Sequence, residues 1–373
     1  MAIQGIRATQ GTRAILGFRY AEVPRRSLED LEALKSLEQG WELLAARSGS
    51  PMQHSIWTEA FAAAYRDAGR LRVLAVGPHS EPSALAPLIQ RGLDGRLEAL
   101  GVRQLYEPMD LLYAEPQAAR ALAEALLREG RAVSLPRVPA DSPVIGALQA
   151  AYRGRGVVRV VPTHGCPYIE LASDWTEPER RFNAGRRSDF RRALRHAERQ
   201  GKVTFDVLVP NLLELPALLE EAWAVEAAGW KGVNGSALAR DARRGGFYRR
   251  YAAAACRKGI LRLCFMRIGA RAIAMQFAVE CGGRFWLFKI GYDEQFARCS
   301  PGQLLMLHTV RYAALRGLHS YEFLGCTAPW TDVWTPSVRK CVAVRAYPMT
   351  VRGIAALSMD AARFGWRRLK SRS

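Results

Sequence analysis

Short apolar runs bounded by Gly, Pro and polar turns alternate along this chain with longer stretches of helical period. In the first half, Leu71–Val76, Ala84–Ile89 and Arg96–Leu100 are apolar or alternating and predict strands, with Leu111–Tyr113 a further short one. Ser27-Leu28-Glu29-Asp30 reads as a capping box that opens a helix to about Arg47, and a second helix is expected over His54–Asp67. Helices follow at Pro116–Glu129 and Pro143–Arg153, with strands at Ala132–Leu135, Val157–Val161 and Tyr168–Leu171.

The second half repeats that order. Helices are expected over Leu212–Ala228 and Ala237–Lys258, then strands over Leu261–Arg267, Ala272–Glu280 and Arg284–Ile290. A helix over Pro301–Arg316 precedes strands at Tyr321–Leu324 and Val342–Tyr347. The fold class is therefore α/β in the α+β sense, with mixed sheets flanked by helices, and the pattern predicts two copies of one architecture without sequence identity between them. The expected organisation is a leader (residues 1–17), an N-terminal domain (18–175), a C-terminal domain (176–348) and a basic tail (349–373), with the boundary in the polar stretch Ala172–Glu179.

At 373 residues the chain is long enough for two cores. Its formal net charge of +19 changes the picture, because it predicts attraction to nucleic acid, anionic membranes or phosphate-rich ligands. The charge concentrates in two places. Arg180–Lys202 holds nine Lys and Arg against Asp189 and Glu198; it reads as a polyanion-binding face or as a solvated helix surface. Arg345–Ser373 holds seven against one acid, interleaved with Ile354, Leu357, Phe364, Trp366 and Leu369, which suits a helix at an anionic membrane or one packed with its basic side outward. The seven cysteines form no C-x-x-C pair, so free thiols are expected and no metal site. With no apolar signal region and no run of about 18 apolar residues, the expected location is the cytoplasm, with peripheral binding at the inner membrane an option.

The chemistry gathers between Gly283 and Trp334. A strand leads into Ser300-Pro301-Gly302 at a helix start, where Ser suits the N-cap, Pro the first helical position, and Gly close approach of a ligand to the backbone. Uncapped N–H groups and the helix dipole at such a place favour a phosphate. The corresponding place in the first half, Tyr113–Gln117, has no Gly and carries Glu115, so one site is expected, in the second half. Lys289 to Glu294 ends the strand before this loop. Tyr292 and Asp293 would lie near the chemistry, and Glu322 on the next strand is the other candidate acid or base. Trp230 and Lys231, in the Gly-rich loop after a helix, read as a pocket wall and an anion contact, with Lys289 and Trp330 as further substrate contacts.

The segments RRSDFRRALRHAERQG (186–201), GWKGVNGSAL (229–238), AIAMQFAVECGGRFWLFKIGYDEQFARCSPGQLLM (272–306) and YEFLG (321–325), followed by Trp330 and Trp334, resemble the CelD-like acyltransferases and, more distantly, the FemAB aminoacyltransferases. The resemblance covers about residues 180–334. It implies tandem GNAT-like domains, an acyl-CoA donor such as acetyl-CoA, and no metal. The pyrophosphate would be held by Gly302, Gln303 and Leu304, with Ser300 and Arg298 beside it. Asp293 or Glu322 would accept a proton and Tyr292 would stand by the thioester. The acceptor would be a small molecule or an exopolysaccharide or envelope precursor. Two other readings remain: a FemAB-like enzyme using aminoacyl-tRNA, and a membrane-surface scaffold without catalysis.

Overall fold

The computed structural model describes residues 25–370 apart from 30, 79, 230–237, 239 and 240. The expected leader and the Trp230-Lys231 loop lie outside the described residues. The first half contains β1 (Arg25–Leu28), α1 (Leu31–Lys35), α2 (Glu38–Ser48), α3 (Ser55–Ala64), β2 (Arg70–Val76), β3 (Ala84–Arg91), β4 (Arg96–Ala99), α4 (Val102–Leu105), β5 (Leu112–Tyr113), α5 (Pro116–Arg128), β6 (Val133–Pro139), α6 (Pro143–Tyr152) and β7 (Gly156–Glu170). The second half contains α7 (Ala184–Glu198), β8 (Val203–Leu208), α8 (Leu215–Ala227), α9 (Ala242–Arg257), β9 (Leu261–Ile268), β10 (Arg271–Cys281), β11 (Arg284–Tyr292), α10 (Pro301–Leu315), β12 (Ser320–Glu322), α11 (Pro329–Asp332), β13 (Val338–Pro348) and α12 (Val351–Lys370).

Each half is built around the same unit: an antiparallel meander of three strands, a crossover helix, and a strand parallel to the last of the three. In the first half this is β2-β3-β4, α5 and β6; in the second it is β9-β10-β11, α10 and β12. The last strands of the two halves are exchanged. β13, from the second half, pairs antiparallel with β6, while the end of β7, from the first half, pairs antiparallel with β12. β7 and β13 also pair with each other from Gly156↔Pro348 to Pro167↔Val338. One sheet therefore runs through the molecule in the order β1-β2-β3-β4-β6-β13-β7-β12-β11-β10-β9-β8, with β5 against β3.

Three expectations are corrected. Val157–Val161 and Tyr168–Glu170 belong to one strand, because Pro162 and Pro167 keep their register against Val342 and Val338, and His164 and Gly165 are absorbed at a bulge where Arg339↔Cys166 steps to Cys341↔Thr163. Ser27 and Leu28 open no helix; they form β1 against Leu74 and Val73. β8 had no counterpart in the pattern reading, and its residues Val203–Leu208 are all half-buried at the sheet edge.

Burial of both sheet faces explains the near-continuous apolar runs of β9 to β11. Leu261, Leu263 and Phe265 face one core with α8 and α9, and Cys264 and Met266 face another with α7 and α10. The first core also draws on the first half. Trp57 of α3 meets Phe247 of α9 edge-on at 4.8 Å and stacks on Phe288 of β11 at 5.4 Å. The halves touch backbone to backbone as well: a Cβ added at Gly282 would lie 2.3 Å from the Gly49 Cα, so Gly282 tolerates no side chain, while one at Gly49 would lie a tight 3.3 Å from the Gly282 Cα.

Two polar devices lock the halves together. Arg137 of β6 is 1% exposed. Its guanidinium donates to the carbonyls of Tyr106, His164 and Gly165, to Cys166 Sγ and, across the junction, to the carbonyl of Gly325. Replacing Arg137 by Leu strands these acceptors, so a loss of roughly 3–5 kcal/mol is expected in urea unfolding, against under about 1 kcal/mol for Arg180→Ala at an exposed pair.

The second device joins Glu42 and His54 (2.6 Å) to Lys258 (3.0 Å from Glu42) and Cys281 (3.3 Å from His54). Burial alone would lower the His54 pKa, but hydrogen bonds to Cys281 and Glu42 outweigh it and raise it from 6.5 to about 9. Burial would raise Glu42, yet hydrogen bonds from His54, Ser55 and Lys258 bring it from 4.5 to about 2. The His54 contribution, roughly 3 kcal/mol for such a shift, is complete below pH 6.5 and lost as pH rises through about 9. The Glu42 contribution is present above pH 4.5 and lost as pH falls through about 2. Stability measured by urea unfolding should therefore decline between neutral and alkaline pH, and His54→Gln should flatten that limb.

Candidate functional site

β11 and β12 pair at only three positions, the last being Trp286↔Glu322, whereas β11 continues to Tyr292. Beyond Trp286 the two chains part. On the other edge of β11, the pairing with β10 slips between Phe277↔Lys289 and Ala278↔Leu287, which leaves Phe288 as a bulged extra residue. A bulge bends a strand and re-aims the residues after it. A cavity of about 550 Å³ lies beside this end of β11, lined by Met275 and Gln276 of β10, by Ile290, Gly291 and Tyr292 of β11, and by Ser300, Gly302 and Gln303 at the start of α10.

α10 opens on this cavity without a side-chain cap. Ser300 sits in the left-handed region (φ +43°), and its hydroxyl caps nothing, which corrects the N-cap reading; Pro301 holds the first helical position as expected. In the first turn of this 15-residue helix the Gln303 and Leu304 N–H groups donate to the Ser300 carbonyl at 3.0 and 3.1 Å, and the Gly302 N–H is the one offered to an anion. A Cβ added at Gly302 would meet only Tyr292 Cδ1, at an ordinary 3.7 Å. Protein packing alone does not demand glycine there, whereas a ligand seated on the backbone would. Gln303 also lines the cavity, and its Oε1 is buried without a partner.

The structure brings together Tyr292, Ser300, Gly302, Gln303 and Trp330, all of which line this cavity. It places the other predicted residues elsewhere. Leu304 is 5% exposed and packs into the core beneath α10, because the helix turns that position inward. Arg298 is exposed and is not among the cavity residues. Asp293 is 4% exposed; it accepts the Gln295 N–H at 3.0 Å and pairs with Arg271 at 2.5 Å, so it is a turn cap in an ion pair and does not line the cavity. Lys289 lies over the Tyr248 ring at 4.9 Å and 3.9 Å from Glu107. The Glu107 carboxyl is pushed upward by burial, against the pull of Lys289 and Arg137.

Glu322 is 1% exposed and faces a different space. It accepts from Ser320 Oγ at 2.6 Å and from Arg339 at 2.6 Å, and Arg339 stacks on Tyr168 at 3.8 Å. That second cavity, about 780 Å³, lies at the junction of the halves, where the exchanged strands meet α2 and the start of α6. Asp110, in its lining, is pushed up to about 6 by burial, with Ser142 and the Leu111 N–H opposing. Its lining is mixed and carries charge of both signs, with Arg47, Arg284 and Lys340 as well as Asp110 and Asp141.

Sequence reasoning missed Glu226 of α8. It is 2% exposed, lines the first cavity beside Gly291, and accepts the Leu238 N–H through Oε2 at 2.9 Å. The contact is close: a Cβ at Gly291 would lie 2.7 Å from the Glu226 Cα. The available signal was a lone acid within the apolar run Ala222–Ala227, just before the Gly-rich loop. Below the cavity, Thr309, Tyr321 and Gln276 form a buried hydrogen-bonded chain, with Tyr321 raised well above its usual pKa by burial.

Residues 184–331 match a family model described as the acetyltransferase (GNAT) domain. Three solved structures resemble the chain along most of its length. The C-terminal DUF2156 domain of a protein assigned as a lysylphosphatidylglycerol synthetase from Agrobacterium fabrum is 12% identical with a TM-score of 0.56, over 88% of this chain and 96% of that one. FemX is 13% identical with a TM-score of 0.56, over 87% and 97%. A conserved protein of unknown function from Bacteroides thetaiotaomicron VPI-5482 is 11% identical with a TM-score of 0.51, over 87% and 99%. None of the curated proteins compared matches the chain. At these identities the structural likeness speaks for fold: the chain has a tandem GNAT-like α/β fold, and its residues 184–331 are similar to the GNAT acetyltransferase domain.

Proposed function

We propose that the protein transfers an acyl group from acyl-CoA to an amine or hydroxyl. The observation that carries this reading is the start of α10, without a side-chain cap, opening into the cavity beside the end of β11. The donor pyrophosphate lies on the Gly302 N–H at the helix start, with the Gln303 side chain beside it, and the pantetheine arm runs along the cavity against Ile290 and Gly291. The backbone following the Phe288 bulge polarises the thioester carbonyl. The acceptor's nitrogen or oxygen attacks that carbon, the C–S bond breaks, and coenzyme A leaves as the thiol once it takes up the proton.

With Asp293 and Glu322 held in ion pairs away from the cavity, Glu226 is the carboxylate placed to accept the acceptor's proton, directly or through water. The acceptor class follows from the CelD-like resemblance: a hydroxyl or amine on an exopolysaccharide or envelope precursor. The cavity at the junction of the halves supplies room for the part of such an acceptor that does not react.

A second reading, aminoacyl transfer from aminoacyl-tRNA, is favoured by the full-length likeness to FemX and to the synthetase domain, and by the basic face of α7. Salt separates the two, because tRNA affinity falls steeply with ionic strength while a ligand with few phosphates responds less.

Two outcomes are expected. Acetyl-CoA at about 100 times its dissociation constant stabilises by about 2.7 kcal/mol, so thermal unfolding should shift upward in the wild type and stay unmoved in Gly302→Glu, which sets an acid against the pyrophosphate. No shift with acetyl-CoA or longer acyl-CoAs, together with salt-sensitive retention of aminoacyl-tRNA on filters, would transfer the assignment to the second reading. Glu226→Gln should keep the acetyl-CoA shift yet slow transfer by about 10²-fold or more; an unchanged rate would remove Glu226 from the mechanism.

A further inference from the structure

α12 carries its apolar residues on the wrong side for a helix that only packs on its own domain. Its inner face is made of Gly353, Ala356 and Asp360. A Cβ at Gly353 would lie 2.0 Å from the Pro348 carbonyl oxygen, Ala356 is 1% exposed, and Asp360 pairs with Arg96 at 3.0 Å and accepts from Tyr347 Oη at 2.7 Å. The opposite face, one stripe at 3.6-residue spacing, carries Val351 (86% exposed) and Ile354 (51%), then Ala355, Ser358 and Ala362, all exposed. Met349, just before the helix, is 66% exposed beside them.

The charges around this stripe have one sign. Arg352 and Arg363 are exposed, and Arg367, Arg368, Lys370 and Arg372 follow in the sequence. Asp360 is the single acid from Arg345 to the end, and it is neutralised inward by Arg96 and Arg345, with the largely exposed Arg363 a looser third partner at 3.8 Å. An apolar stripe edged by cations, with no acid facing solvent, matches the two layers of an anionic bilayer surface: acyl chains for Val351 and Ile354, lipid phosphates for the arginines. A second copy of the chain fits poorly, since it would bring like charge against like charge on a protein of net charge +19. No helix among the described residues is long and apolar enough to cross a membrane, so the contact is with the surface only.

We propose that α12 docks the protein in the plane of an anionic membrane through Val351 and Ile354, with Arg352 and Arg363 on the lipid phosphates. The argument is independent of which donor the α10 cavity holds. The test is co-sedimentation of the full chain with vesicles of phosphatidylcholine and phosphatidylglycerol, beside vesicles of phosphatidylcholine alone. Binding to the mixed vesicles that weakens with salt, and that drops by about tenfold or more in Val351→Asp/Ile354→Asp and in Arg352→Gln/Arg363→Gln, is the expected result. The replaced side chains are exposed, so thermal unfolding of both variants should match the wild type. Equal binding to the two vesicle types, undiminished binding by either folded variant, or a dimer in light scattering that Ile354→Asp dissolves would overturn the proposal.

Discussion

The exchange of terminal strands is the constraint on which the rest of this molecule depends. β7 can pair with β12, and β13 with β6, only if each half holds the other's last strand. Neither sheet is then complete alone, and the edge that each half would expose is covered by its partner. Arg137 sits at the crossing point, its buried donors spread over segments from both halves. A guanidinium with five donors in a rigid fork suits this place because several carbonyls converge where strands change partners.

The same constraint shapes both cavities. β12 is only three residues long, and the chain after it turns away toward Gly325, which Arg137 holds. β11 therefore loses its parallel neighbour halfway along, and the cavity beside Ile290 and Gly291 lies past that point. At the other end of β11, Arg284 and Trp286 border the junction cavity, whose remaining walls come from the first half, from Glu322 and Leu324, and from β13. One strand thus contributes to a largely apolar cleft at one end and to one carrying charge of both signs at the other. The first half, which lacks a Gly-containing helix start of its own at Glu115–Pro116, still supplies walls, Arg47 and Asp110 to the second space.

The candidate site divides by how far each residue's role is local. Gly302, Gln303 and Tyr292 were legible because a helix start and the end of the preceding strand are near in sequence, and the chemistry of an open helix N-terminus belongs to the backbone. The Leu304 side chain does not line the cavity for a reason of period: two positions past Gly302, the helix has already turned inward. Asp293 and Glu322 were reasonable as strand-end acids, but Arg271 and Arg339 claim them, and those arginines come from other strands. Glu226 escaped notice because its relation to Gly291 joins residues of a helix and a strand far apart in the chain.

Hydrophobic period and turn chemistry in the sequence determined most of the elements, including the meander, crossover helix and parallel strand in each half, because those signals act over a few residues. The repeat of that order was enough to predict a double fold. Only the tertiary structure decided which strand pairs with which at the end of each half, since Val338–Pro348 carries the same apolar pattern whether it lies beside β6 or beside β12. It also decided which space each carboxylate faces, with Glu226 at the cavity beside β11 and Glu322 at the junction cavity. Charge partners are chosen by three-dimensional proximity, and no local pattern encodes that.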